Sequence, residues 1–210
     1  MENLELYKAA LLTLFVALDP PGLAPVFLSL TSHMTPQERR GTAFHAVMVA
    51  FFILAGAAFG GAPLLSALGI SMPAFRIAGG LLLFVIAFEM VFEKRQQRKS
   101  HSAEVTLEKD HFKSIATFPL AIPLMAGPGA ITATILQVSK LPGSWLDYTV
   151  ICGILAVVLA SCLIVFLLAT RIDRLLGNTG RVVLSRLLGL LLAAMAVQII
   201  GDGVLGFLKS

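Results

Sequence analysis

Long apolar runs separated by short polar stretches predict six membrane-crossing helices along this chain. The runs lie at about Leu4–Thr31, Gly41–Phe59, Ala74–Phe92, Ser114–Val138, Trp145–Ala169 and Leu184–Leu208. Thr35, ahead of Pro36 and Glu38, has the form of a cap for the second helix. An uncharged connection from Gly60 to Pro73 separates the second and third runs. Residues 93–113 read as a polar, mixed-charge loop, and residues 171–181 as a further polar loop. The expected fold class is an all-α polytopic membrane protein, a single membrane domain over 1–210.

Two of the runs are interrupted. Asp19-Pro20-Pro21-Gly22 cuts the first, and Ala126-Gly127-Pro128-Gly129 cuts the fourth. A proline inside a helix costs about 3 kcal/mol, a glycine about 1, and a mid-membrane aspartate roughly 2.5–3.5. The first break therefore opposes a lipid-facing helix by on the order of 10 kcal/mol, while each apolar residue near the helix centre returns only about 0.3–0.6. Such backbone persists at membrane depth where it is buried in protein or lines a cavity. Helices 1 and 4 are thus expected to be broken.

Composition agrees with the pattern: 57% of residues are hydrophobic and 13% charged, with a mean hydropathy of +0.88. The sequence pI of about 9.3 does not imply a nucleic-acid partner, because the basic residues cluster in short loops. Arg39, Arg40, Lys94, Arg95, Arg98, Lys99, Lys109, Lys113, Arg171, Arg174 and Arg181 fall on one side, and Lys8, Lys140 and Lys209 on the other. The positive-inside rule then places the loops after spans 1, 3 and 5 in the cytoplasm and both termini outside. The N-terminus lacks the basic region of a signal peptide, so the first run is expected to be retained. Cys152 and Cys162 lie on one predicted helix, about 15 Å apart along its axis, too far to bridge. No His/Cys/Asp cluster has metal-ligand spacing, so neither an enzyme nor a bound cofactor is expected.

The two halves, about 1–92 and 114–210, read as copies. Pro21-Gly22 corresponds to Pro128-Gly129, and Arg76-Ile77-Ala78-Gly79 to Arg186-Leu187-Leu188-Gly189 at nearly the same offset. Each Arg segment is followed by a Leu-rich run and then a polar residue, Glu89 or Gln198. A copy of three spans must cross the membrane in the opposite sense, giving an inverted 3+3 repeat. Broken helices at matching positions of such a repeat point to a transporter's central site.

These residues also carry a resemblance. The stretches Asp19 to Thr31 and Phe118 to Thr132 resemble the two signature segments of the MarC family. Arg76 to Gly80 and Arg186 to Asp202 are similar as well, and the likeness spans the whole chain. It implies a six-span inner-membrane protein; the family's SnatA-like members are neutral amino-acid transporters related to LysE-type exporters. The first motif often has Asn where this chain has Asp19.

The function expected is secondary transport of small solutes, small neutral amino acids above all, by alternating access. Its rivals are a channel-like pore, an exporter of another small metabolite, or a non-transporting membrane subunit. A broken helix exposes N–H groups at the start of its second half, suited to a carboxylate, and C=O groups at the end of its first, suited to an ammonium or coupling Na⁺ or H⁺. The candidate substrate site is therefore Asp19, Pro20, Pro21, Gly22, Gly127, Pro128, Gly129 and Thr132. The two glycines Gly22 and Gly129 are expected to let a ligand approach the backbone. Asp19 is expected to close the first half-helix, facing its negative end, and to need a substrate or coupling cation, with protonation as the alternative in the empty state. Arg76, Glu89, Arg186, Gln198 and Asp202 are weaker candidates near span ends, where Arg side chains ordinarily reach for headgroups.

Overall fold

The computed structural model describes residues 2–95, 97–100 and 115–209, with only the backbone described at Glu2, Asn3, Asp173, Arg174, Leu176 and Asn178. Most of the expected 93–113 loop thus lies outside the described residues. The described chain is helical: α1 (Glu2–Leu18), α2 (Pro20–Leu30), α3 (Pro36–Ala67), α4 (Met72–Val91), α5 (Ala116–Met125), α6 (Pro128–Val138), α7 (Trp145–Leu167) and α8 (Ala169–Leu208). Among the described residues, five helical stretches are long and apolar enough to cross a membrane. The α5–α6 pair, bent by 56°, makes a sixth if taken as one span.

Burial orders these spans. Within Leu4–Leu30 an apolar 18-residue window is 61% buried, against 22–33% for the corresponding windows of the other four long spans. Both breaks sit in well-shielded parts of the bundle, with Asp19, Pro20, Gly129 and Ala130 buried. The outward faces of α4 and α8 expose Leu81, Val85, Phe88, Leu190 and Val197, as lipid-facing helices do.

The α4–α8 pair is held by glycines. A Cβ at Gly80 would lie 3.1 Å from the Ala196 carbonyl oxygen, and one at Gly189 3.0 Å from that of Ala87. At Gly203 it would meet the Ile77 nitrogen and the Pro73 oxygen, each at 3.0 Å. Small residues let helix backbones approach this closely where hydrophobic burial supplies no driving force.

Three boundaries differ from the sequence expectation. The connection expected from Gly60 to Pro73 is shorter, because α3 runs through Pro63 to Ala67. Proline removes one hydrogen bond, whereas ending the helix at Gly60 would free a whole turn, and Gly61 is seated against Ile135 of α6. The loop expected over 171–181 is helical except at Gly177, whose φ of 57° takes the turn in the left-handed region open to glycine. Beyond α4, residues 94–95 and 97–100 are helical, and Arg95 and Lys99 are buried.

Candidate functional site

The first break is a helix start written in four residues. Asp19 donates its N–H to the Phe15 carbonyl at 3.0 Å, closing α1. Its backbone then turns left-handed (φ 55°, ψ 65°), a conformation aspartate tolerates better than most residues. Its carboxylate Oδ1 accepts from the Gly22 N–H at 3.2 Å, capping α2. Pro20 and Pro21 occupy the first two helical positions, where a missing N–H removes no intrahelical bond. Gly22 is needed for this cap: a Cβ there would sit 2.1 Å from Asp19 Oδ2. The space at Gly22 therefore holds the Asp19 carboxylate, not a ligand approaching the backbone. The carboxylate also addresses the positive end of α2, and not the negative end of α1 as expected.

The cation that Asp19 requires comes from the chain itself. Lys99 Nζ donates to Asp19 Oδ2 at 3.0 Å, and Arg95 Nε lies 3.9 Å from the same oxygen. Arg95 further donates from Nη2 to the Ala17 carbonyl at 2.5 Å and from Nη1 to Met90 Sδ at 3.2 Å. These side chains are 4–8% exposed, so the cluster is dry enough for charge pairing to matter. Burial pushes the Lys99 ammonium from 10.5 down to about 8, against the pull of Asp19. The expected substrate or coupling cation at Asp19 is thus replaced, in this structure, by Lys99 and Arg95.

The second break is built differently. In α5 the residues before Pro119 and Pro123, Phe118 and Ile122, are extended (φ −134° and −123°), as proline demands of its predecessor. The hydrogen bonds that remain run over the wider i to i+5 spacing, as from Ala126 N–H to the Ala121 carbonyl at 2.8 Å. Gly127 then opens α6 without a side-chain cap, and Pro128 fills its first position. A Cβ at Gly127 would lie 2.3 Å from the Pro123 oxygen, so glycine admits that carbonyl. Gly129 admits Ile86 in the same way. Thr132 is buried, its methyl group packed against Gly79.

A cavity of about 270 Å³ lies at the second break, lined among others by Gly127, Pro128, Gly129, Arg95 and Lys99, and reaches α1 at Ala17. On the other side of the ion cluster, a second cavity of about 290 Å³ is lined by Asp19, Pro21, Gly22, Gln97 and Ser100. Asp19, Lys99 and Arg95 thus stand between two spaces. Pro20 is buried in the core beside them.

The weaker candidates do not join this site. Arg76 donates to the Ser139 carbonyl at 3.2 Å, and Gln198 to Asp202 at 2.9 Å, with Lys140 3.8 Å from Asp202. Elsewhere Glu89 pairs with Arg98 at 2.9 Å and Arg186 with Glu93 at 2.5 Å. Both arginines near span ends thus have protein partners, Arg186 while half exposed. Arg95 and Lys99 are the residues sequence reasoning missed as site members. Their four-residue spacing puts them on one helical face, a signal hidden by the equal spacing of Lys94 and Arg98.

The profile described as "MarC family integral membrane protein" matches residues 4–208. A UPF0056 membrane protein of Buchnera aphidicola is 35% identical over 205 residues, covering 97% of this chain and 94% of that protein. One from Archaeoglobus fulgidus is 35% identical over 202 residues (96% and 93%). The UPF0056 membrane protein YhcE of Escherichia coli is 37% identical over 199 residues (92% and 89%). No solved structure matches.

Proposed function

We propose, for a chain that belongs to the MarC family of integral membrane proteins, secondary transport of small neutral amino acids by alternating access around its two helix breaks. The observation that carries this reading is the cavity of about 270 Å³ at the second break, divided by Asp19, Lys99 and Arg95 from a cavity of about 290 Å³ at the first. Drug-sized ligands occupy roughly 300–1,000 Å³, so this volume suits a smaller solute. Its walls offer an uncapped helix start and fixed charges, which recognise polar ends, together with apolar residues such as Ile86 and Leu124. The two halves act as an inverted repeat in this reading, and the protein sits in a bacterial inner membrane with both termini outside. The 94–100 segment is then cytoplasmic and closes that side of the site.

The test is counterflow in proteoliposomes made with purified protein. Liposomes preloaded with unlabelled glycine or alanine are expected to accumulate the labelled amino acid transiently, with imposed Na⁺ and proton gradients identifying any coupling. Single-channel currents in place of counterflow would assign a pore. No flux for any small amino acid would refute the transport reading.

A further inference from the structure

The arginines of this chain divide into two sets. Arg39, Arg76, Arg95, Arg98 and Arg186 each bond or pair with a protein group, and Arg181 is engaged as well. Arg40 and Arg171 make no hydrogen bond or ion pair among the described residues. These two share one place. Arg40 lies near the start of α3 and Arg171 in the first turn of α8, just past the end of α7. Both line a cavity of about 580 Å³ where α3 packs on α7, about twice the volume of either cavity at the breaks.

The polarity of this cavity is graded. Thr170 adds a hydroxyl beside the two arginines. Phe44 lies one turn beyond Arg40 along α3, and Leu167 and Leu163 lie one and two turns before Arg171 on α7. The apolar wall thus continues for about 6–12 Å past the arginines. Phe44 and Leu167 are 58% and 50% exposed, so the cavity opens on the outer surface of the bundle. No carboxylate lines it among the described residues. Glu38, close to Arg40 in sequence, is taken up by the N–H and hydroxyl of Thr35.

A single exposed arginine at a span end reaches for headgroups in general. Two from opposite halves of the sequence, converging above an apolar wall, match a ligand that is anionic at one end and apolar along the rest. The guanidinium fork fits phosphate oxygens. The ammonium of a zwitterionic headgroup would find no carboxylate in the cavity, which favours a headgroup of net negative charge. We infer that this cavity is a binding site for an anionic phospholipid, its phosphate received by Arg40 and Arg171 and an acyl chain laid along Phe44, Leu167 and Leu163. The inference rests on the chain's place in a membrane and is independent of the transport reading.

Melting of delipidated, purified protein in a neutral detergent tests the site. Phosphatidylglycerol, phosphatidylethanolamine with the same acyl chains, and inorganic phosphate are titrated separately, since a ligand of the folded state raises the melting temperature with its concentration. Phosphatidylglycerol is expected to raise it and the other two to leave it unchanged. Arg40→Gln and Arg171→Gln are each expected to move the phosphatidylglycerol titration to higher concentration on the order of tenfold. Both side chains are exposed, so without lipid these variants should melt as the wild type does. Leu163→Trp keeps both cations but fills the apolar wall, and is expected to weaken the lipid as well. Lys8→Gln, away from the cavity, should leave the titration unchanged. The site is overturned by equal stabilisation from phosphatidylethanolamine, by a response to inorganic phosphate alone, or by no shift with any lipid. It is also overturned by an undiminished response in the double arginine variant or in Leu163→Trp. Dimers that persist without lipid and dissociate in the double variant would assign the surface to a second copy of the chain instead.

Discussion

At the scale of the residue, Asp19 shows how a costly group becomes tolerable. Its carboxylate is shared between the α2 N-terminus and two cations from a segment some 80 residues away. Removing one member of a buried ion pair typically costs about 3–5 kcal/mol, whereas replacing the whole pair is often near neutral. Asp19→Asn retains a good helix cap, so its loss of stability reports the charge. We expect Asp19→Asn and Lys99→Met each to lower the melting temperature, and the double variant to melt closer to wild type than the two losses predict. Additive losses would show that Lys99 is not the partner of Asp19. The expense of Asp19 was legible in the sequence, because four adjacent residues opposed a helix. Its partners were not, because a run such as Lys94 to Lys99 has the composition of an ordinary cytoplasmic loop.

At the scale of the element, hydropathy placed five spans and the bent α5–α6 pair, but the ends of helices followed packing. Pro63 looked like a stop because its neighbours are Gly60, Gly61 and Ala62, yet contact between Gly61 and Ile135 carries α3 past it. The bend between α5 and α6 was legible at Pro128-Gly129, while the loose winding of α5 depends on how Pro119 and Pro123 act together. The glycine seam between α4 and α8 separates two kinds of glycine. At Gly201 a Cβ would meet nothing within 4 Å, whereas at Gly203 it would meet backbone at 3.0 Å. Alanine improves helix propensity by about 1 kcal/mol at either position, and overpacking costs roughly 1–3 kcal/mol at the second alone. Gly201→Ala should therefore leave thermal stability equal or higher and Gly203→Ala should lower it. Equal behaviour of the two would remove the seam from the account of how α4 and α8 associate.

At the scale of the molecule, the proposed orientation makes a prediction that needs no ligand. In a background with Cys152→Ser and Cys162→Ala, Pro142→Cys should react with an impermeant thiol reagent added to intact cells. Gln37→Cys should react only after the cells are opened. The reverse pattern would invert the topology read from the basic loops. Whole-chain legibility was uneven for a physical reason. Insertion into lipid is written in local composition, so the long apolar helices between Leu4 and Leu208 were readable. How far each span is buried depends on long-range contact, and the burial around Asp19 and Gly129 appears only once the helices are assembled.

Cys162, fully buried on α7, lies within electrostatic reach of both Lys99 and Asp19. The wild-type chain thus carries its own reporter of any opening of the bundle around α7. A thiol shielded in this way is alkylated only during the moments when its cover lifts. With Cys152 replaced, the labelling rate of Cys162 would count those moments in the native membrane, with no dye or engineered pair attached.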